Sequence, residues 1–437
     1  MTATQESDAA WERARELAAD EVVDVASRMV AFNTEAADEA SPPKDDLAHQ
    51  EYVATYLRNL GADVELFEPA TAEFADHRMA LPGQSFAGRP ILWATVPGRD
   101  ALSLLFNGHY DTVLAGPVDK WTEDPWSGGV RNRRLYGRGS CDMKGGIAAA
   151  LAAVSGLVRA GIELPGPVLF NIVPFEEING IGTTATMLRG LRADAAVCCE
   201  PTELRPSIAC RGLLALRLEV DGRAAHAEIP QLHHSQGGGV SAIDKLVDLL
   251  GAVRVLNESW RERPDQQHPL LSTPVALATI ADGGAHWATW PAAASATFDI
   301  TYLPQNVDAD GYGSRVRAEI EHHVLAAAEL DDWLRAHPPR FNWFVDFPPV
   351  EIDPEEPIVR SALAAVHRNG EPDAELDGFD SWADQVMLAK EGGIPTVLLG
   401  PGSILQAHTA DEYVEVDELR RATAVYIDLM RSWWELD

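Results

Sequence analysis

The sequence predicts an α/β fold with a mostly parallel central sheet, interrupted by an inserted α+β module. Two observations carry this. Nearly all-apolar runs of strand length alternate with helical stretches in residues 1–211 and again in residues 351–437, as expected of a sheet covered on both faces. Across residues 212–350 the strands instead alternate apolar and polar positions, the mark of a sheet with one wet face. At 437 residues the chain is also too long for one hydrophobic core.

Taken in order, the stretches from about Ala9 to Phe32 and from Asp46 to Leu60 repeat apolar residues at helical spacing. ADVELFEP, PILWATV and ALSLLFNGHY then read as strands, the last almost wholly apolar and so central. MKGGIAAALAAVSGLVRAG is a helix of small residues that closes at a glycine. GPVLFNIVPFEE and ADAAVCCEP return to buried strands. In the insert, LLALRLEVDGRAAH, TPVALATIADGG and AASATFDITYL read as strands, and GGVSAIDKLVDLLGAVRVL and GSRVRAEIEHHVLAAAEL as helices. After the proline-rich FPPVEIDPEEP, a helix from Ile358 and the run GIPTVLLGPG resume the first pattern.

Composition narrows the partners. Apolar content of 46 % and charge content of 23 % are ordinary for a soluble globular protein. A formal net charge of −32 disfavours nucleic acid and anionic membrane surfaces, both polyanions, and suits multivalent cations where carboxylates converge. The N-terminal stretch has no basic segment followed by an apolar one, and no uncharged run is long enough to span a bilayer. Cys141, Cys198, Cys199 and Cys210 fit neither a disulfide framework nor a CxxC zinc site, so buried free thiols in a reducing cytoplasm are expected.

Five short stretches carry chemistry-grade side chains. In NGHYDTV, His109 and Asp111 are two apart and share a face on a strand, so Asp111 can accept from one ring nitrogen and leave the other for a metal. Asp142 follows the glycine-rich turn of LYGRGSCDMKGG, which matches neither phosphate-loop spacing nor, at Ser140, a GxSxG elbow. IVPFEEING places Glu176 and Glu177 side by side at a strand end, where neighbours point different ways. CCEPT ends a strand at Glu200, and GPGSILQAHTADEY brings His408 after another. Singly, these read as a surface pair, a helix cap, solvated acids and a structural histidine. Together they line the carboxyl edge of an open α/β sheet, where ligands bind. Two histidines and three carboxylates suit a pair of zinc ions with one bridging carboxylate, which removes the repulsion among the acids.

In these ordered motifs the chain resembles the M20 metallopeptidase and deacylase family, the group containing acetylornithine deacetylase and succinyl-diaminopimelate desuccinylase. The resemblance covers most of the chain and implies a zinc-dependent exopeptidase-like catalytic domain, in residues 1–211 and 351–437, with an inserted lid and dimerisation domain in residues 212–350. It implies two Zn²⁺ ions, replaceable by Co²⁺ or Mn²⁺, and hydrolysis of a small-molecule amide. Deacylation of an N-acyl amide comes first; a dipeptidase or carboxypeptidase, or a non-catalytic binding protein on the same fold, are the alternatives. By the resemblance His109 and Glu200 bind one zinc, Glu177 and His408 the other, Asp142 bridges, Asp111 orients His109 and Glu176 is the general base. VDGRAAHAE resembles the lid segment whose histidine, here His226, reaches the active site, often from a neighbouring subunit, so a homodimer is expected. The sequence departs from many relatives at GGAHWATWP and FDITYLP, where Ala288 and Thr301 replace an asparagine and an arginine that hold a substrate carboxylate or oxyanion. This form looks like a subgroup of deacylases, some similar to formylaminopyrimidine deformylase. Trp287, Trp290, Phe379 and Trp382 then either line a pocket for a flat or hydrophobic group or simply pack, and Arg211 either meets a substrate anion or pairs with an acid.

Overall fold

Helix α1 (Ala3–Val30) turns Ala14, Ala18, Val22, Val25, Ala26 and Met29 inward at three- and four-residue spacing, and α2 (Asp46–Asn59) buries Val53, Ala54 and Leu57 in the same way. Strands β1 (Asp63–Phe67), β2 (Ile91–Val96) and β3 (Leu104–His109) follow. Helix α3 (Lys144–Arg159) is buried from Lys144 through Leu157, and its small residues let α1 lie against it. Strand β4 (Val168–Val173), helix α4 (Ile181–Leu188) and strand β5 (Ala195–Cys198) complete the first stretch. The structure, a computed structural model, describes residues 3–435.

The chain then builds a separate unit, Ala209–Glu351 with Asp380–Trp382. Its sheet has the order β7-β8-β6-β9, from β6 (Gly212–Asp221), β7 (Ala276–Gly283), β8 (Ala293–Tyr302) and β9 (Arg340–Phe347), all antiparallel. Along β6 every second residue is buried, so Leu214, Leu216, Leu218 and Val220 form one apolar face. That face packs with α5 (Ala242–Glu262) and α6 (Ser314–Ala328) around Leu249, Trp260, Phe298 and Ile320.

The other unit is Met1–Ile208, Ile352–Phe379 and Ala383–Asp437. It regains the chain with α7 (Pro357–Arg368), α8 (Gln385–Lys390), β10 (Thr396–Leu398) and α9 (Val416–Glu435). Its sheet runs β1-β2-β4-β3-β5-β10 and continues past β10 into the antiparallel Ser207–Cys210. The centre is parallel, β4 with β3, β3 with β5 and β5 with β10, whereas β1 and β2 are antiparallel additions at one edge. Both faces are covered. Leu105, Leu169 and Ala196 pack with Met187 of α4 and Leu388 of α8, while the neighbouring Phe106 meets Tyr426 of α9 with ring centroids 5.2 Å apart. None of the described helices is long and apolar enough to cross a membrane.

Candidate active site

His109 is the last residue of β3 and 1 % exposed. Its Nδ1 lies 2.9 Å from the backbone carbonyl of Asp111, and a carbonyl only accepts, so Nδ1 carries a hydrogen. The lone pair of Nε2 then faces Asp142 Oδ1 at 3.0 Å, with Glu176 Oε2 and Glu200 Oε1 each 3.9 Å away. A nitrogen lone pair opposed to carboxylate oxygens needs a cation between them, either a proton or a metal. Burial opposes a charge on this ring, but the Asp142 hydrogen bond and the Glu176 and Glu200 charges carry its pKa well above the usual value.

The Asp111 carboxylate does not orient the ring as the His-x-Asp spacing suggests. Its Oδ1 stays 3.7 Å from Nδ1, while the backbone carbonyl of the same residue lies at 2.9 Å. The carboxylate instead accepts the backbone N–H groups of Glu176 at 3.4 Å and Glu177 at 3.3 Å, so it fixes the segment that carries both acids. Burial, with the Glu177 and Asp384 charges, pushes its carboxyl up to about 7.

Asp142 sits in the turn before α3, and it is Met143, not Asp142, that stands at the helix cap. The turn is tied from the far end of the chain: Glu412 Oε1 accepts the N–H groups of Cys141 at 2.9 Å and Asp142 at 3.2 Å, and its Oε2 meets Arg138 at 2.5 Å in a wholly buried ion pair. Two glycines open the helix because nothing larger fits: a Cβ on Gly145 would lie 2.4 Å from the Ser140 carbonyl, and one on Gly146 2.1 Å from that of Cys199. Asp142 thereby reaches both histidines, Oδ1 towards His109 and Oδ2 3.6 Å from His408 Nε2.

Strand β4 ends at Val173, so Glu176 and Glu177 belong to the following turn and not to the strand end. The turn is set by Phe175 at a left-handed φ of 70°, held in place by its T-shaped contact with Phe86 and by Arg89 over its ring. Glu176 faces His109, and Glu177 Oε2 faces His408 Nε2 at 3.1 Å. His408 also has a left-handed φ, 61°. Glu200 follows β5 and is 3 % exposed, and its Oε1 has no hydrogen-bond partner.

Ligand atoms of His109, Glu176 and Glu200 lie within 4.8 Å of one another, as do those of His109, Asp142 and Glu177. Burial first, and mutual repulsion second, push the Glu176 and Glu200 carboxyls well above the ordinary range. An unpartnered buried carboxylate oxygen, two imidazoles and several repelling acids fit divalent cations. Glu176 and Glu200 are equally far from His109, so distance alone does not divide ligand from base.

His226 is exposed in the unit built by residues 209–351. Trp287 is 83 % exposed and stacks on His286, whereas Trp382 is buried and donates to the Pro348 carbonyl. Phe379 is buried and Trp290 half-buried. Arg211 pairs with Asp380 at 2.8 Å. Cys141 donates to the Ser403 carbonyl, and burial pushes its thiol well up. A cavity of about 1080 Å³ beside Glu203, Asp377 and Arg421 is lined by none of the converging residues. Glu412 and Arg138, which hold the Asp142 turn, and the buried Asp384 are residues that the motifs did not single out. Glu412 stands four residues after His408, within a stretch already marked by that histidine, and Asp384 carries no local signal.

A model of peptidase family M20/M25/M40 matches residues 105–432. The chain is 27 % identical over 431 residues to N-formyl-4-amino-5-aminomethyl-2-methylpyrimidine deformylase of Bacillus subtilis (strain 168), with 95 % of each chain covered. It is 29 % identical over 441 residues, again with 95 % of each covered, to the enzyme of that name from Halalkalibacterium halodurans. Among solved structures, human carnosine dipeptidase 1 superposes with a TM-score of 0.72 at 18 % identity, covering 98 % of both chains, a likeness of fold.

Proposed function

Since the chain belongs to peptidase family M20/M25/M40, and is therefore a hydrolase of C–N amide bonds, we propose that it is a two-zinc deacylase that removes a small acyl group from an amine carrying an aromatic ring. The observation that carries the reading is the placing of Asp142 between His109 and His408, with Glu176, Glu177 and Glu200 turned into the same cluster. His109 and Glu200 would hold one cation, Glu177 and His408 the other, and Asp142 would bridge them. When bound, the cations polarise the scissile carbonyl and lower the pKa of a water towards neutrality.

The chain itself handles the proton and the positions. Glu176, left without a hydrogen-bonded side-chain partner, takes the proton of the attacking water and returns it to the departing amine nitrogen. Asp111 holds Glu176 and Glu177 through their backbone N–H groups, and Glu412 with Arg138 holds Asp142. His226 takes the role the family resemblance implies, steadying the developing oxyanion; full activity in His226→Ala would remove it.

Two observations support an amine carrying an aromatic ring over an N-acyl amino acid. Both relatives above act on an aminomethylpyrimidine by name. Thr301 Oγ1, where many relatives carry an arginine, instead accepts the N–H of Val275 at 3.0 Å, and Arg211 is already paired. A homodimer through the unit of residues 209–351 belongs to the same reading, supported by edge strand β7 with Leu277 and Ile280 exposed. Residence in a reducing cytoplasm is supported by four buried cysteine thiols. The test is a panel of an N-formyl aminomethylpyrimidine, N-acetyl and N-succinyl amino acids, and dipeptides. The first should be cleaved with the highest kcat/KM; preference for acidic N-acyl amino acids or dipeptides would refute the substrate class.

A further inference from the structure

Asp384 is 1 % exposed and stands at the N-terminus of α8, yet its side chain caps nothing. Its Oδ2 accepts the hydroxyl of Thr183 at 2.7 Å, and its Oδ1, wholly buried, has no partner. Thr183 Oγ1 also lies 3.3 Å from Asn107 Oδ1, which accepts the amide of Asn171 at 2.7 Å, and Asn171 Oδ1 accepts the hydroxyl of Thr186 at 3.1 Å. Asn107, Asn171, Thr183 and Thr186 are all fully buried. Asn107 is two residues before His109 on β3, and so on the same face, one step below the cluster. A buried polar ladder thus runs under the candidate ligands and ends on a carboxylate with an open oxygen.

An ionised buried carboxylate with one unpaired oxygen is costly unless a cation neutralises it. Thr183 and Asn107 are its side-chain hydrogen-bonding neighbours, and the cationic group that acts on it is His109. Through Thr183 and Asn107 it stands beneath His109, and so on the His109–Glu200 side of the cluster. We propose that Asp384 is a positioning residue outside the ligand set, whose fixed negative charge, held by Thr183, retains the cation on the His109–Glu200 side. This rests on the two-cation reading above.

The test compares wild type, Asp384→Asn and Thr183→Val in the full chain, with Zn²⁺ affinity measured by competition against a chromophoric chelator and metal-free stability measured by urea unfolding. Asparagine keeps the shape and an acceptor for Thr183 while removing the charge. Wild type should bind two equivalents. Asp384→Asn should bind one of them roughly 10- to 100-fold more weakly, the range for outer partners of a metal centre, and leave the other unchanged. Its metal-free form should be at least as stable as wild type, since an uncompensated charge is gone. A purely structural residue would give the opposite pattern, lower stability with unchanged affinity, and that result overturns the proposal. Thr183→Val, which keeps the charge but frees it, should weaken the same site by a smaller factor. If Asp384→Asn does not fold, unchanged affinity in Thr183→Val overturns the proposal instead. Wild type that binds no zinc would overturn the two-cation reading itself.

Discussion

Replacing Glu176 by glutamine separates its proposed role from that of every neighbouring acid. The substitution keeps volume and an oxygen but removes the proton acceptor. Glu176 Oε2 is 3.9 Å from His109 Nε2, beyond hydrogen-bond reach, so no side-chain hydrogen bond to His109 is lost. The anchoring of the turn is also untouched, because Asp111 binds the backbone N–H of residue 176 and not its side chain. What remains is the chemistry. A positioned acid or base contributes roughly 10²- to 10⁴-fold. Glu176 moves the proton twice, onto itself and then to the amine, which places the loss at the upper end, about 10⁴-fold or about 5 kcal/mol at 1.36 kcal/mol per decade. The assay is kcat/KM on a formyl amide, with zinc content measured on the same sample. Activity within tenfold of wild type at full zinc content would refute the base assignment. Loss of zinc together with activity would make Glu176 a ligand, which its distance to His109 also permits, and Glu200 would then lose its place.

Two further outcomes follow from the buried charges. Glu412→Gln leaves Arg138 buried without its counter-charge and loosens the Asp142 turn, and removing one partner of a buried pair typically costs about 3–5 kcal/mol. Urea unfolding measures it, and a loss under 1 kcal/mol would show that the pair does not hold the turn. In the metal-free protein, Asp111 and Glu412 are both pushed by burial up to about 7, and His109 lies well above its usual value. The folded state then binds more protons than the unfolded one between about pH 4 and pH 7, so stability falls as pH rises across that window. Metal-free Tm should therefore be higher at pH 5 than at pH 7.5, and zinc should reverse the order; a metal-free Tm that rises with pH would contradict it.

Residues at the ends of apolar runs were legible in sequence. His109, Glu200 and His408 each follow a buried strand directly or through a short glycine-rich loop, and the edge rule for α/β sheets brings them together. Strand direction was not legible: PILWATV is as apolar as its neighbours, and only its pairing with Val168–Val173 shows it antiparallel. Glu176 and Glu177 stand just past a buried strand, as expected, but the left-handed Phe175, not the pleat, aims them. The His-x-Asp spacing likewise missed that a backbone carbonyl outcompetes the nearby carboxylate. Glu412 and Asp384 were hidden for a different reason. In a chain of net charge −32, an acid away from a strand end reads as solvated surface, and only tertiary packing reveals that these two are buried.

The central claim is that two cations held by this cluster are required for amide hydrolysis. Its most direct measurement is zinc titration of the chelator-stripped chain, followed by hydrolysis of the formyl amide at each step. Activity should be absent at zero zinc and rise to a plateau at two equivalents per chain. Full hydrolysis by the stripped chain, or a plateau without zinc uptake, would contradict it.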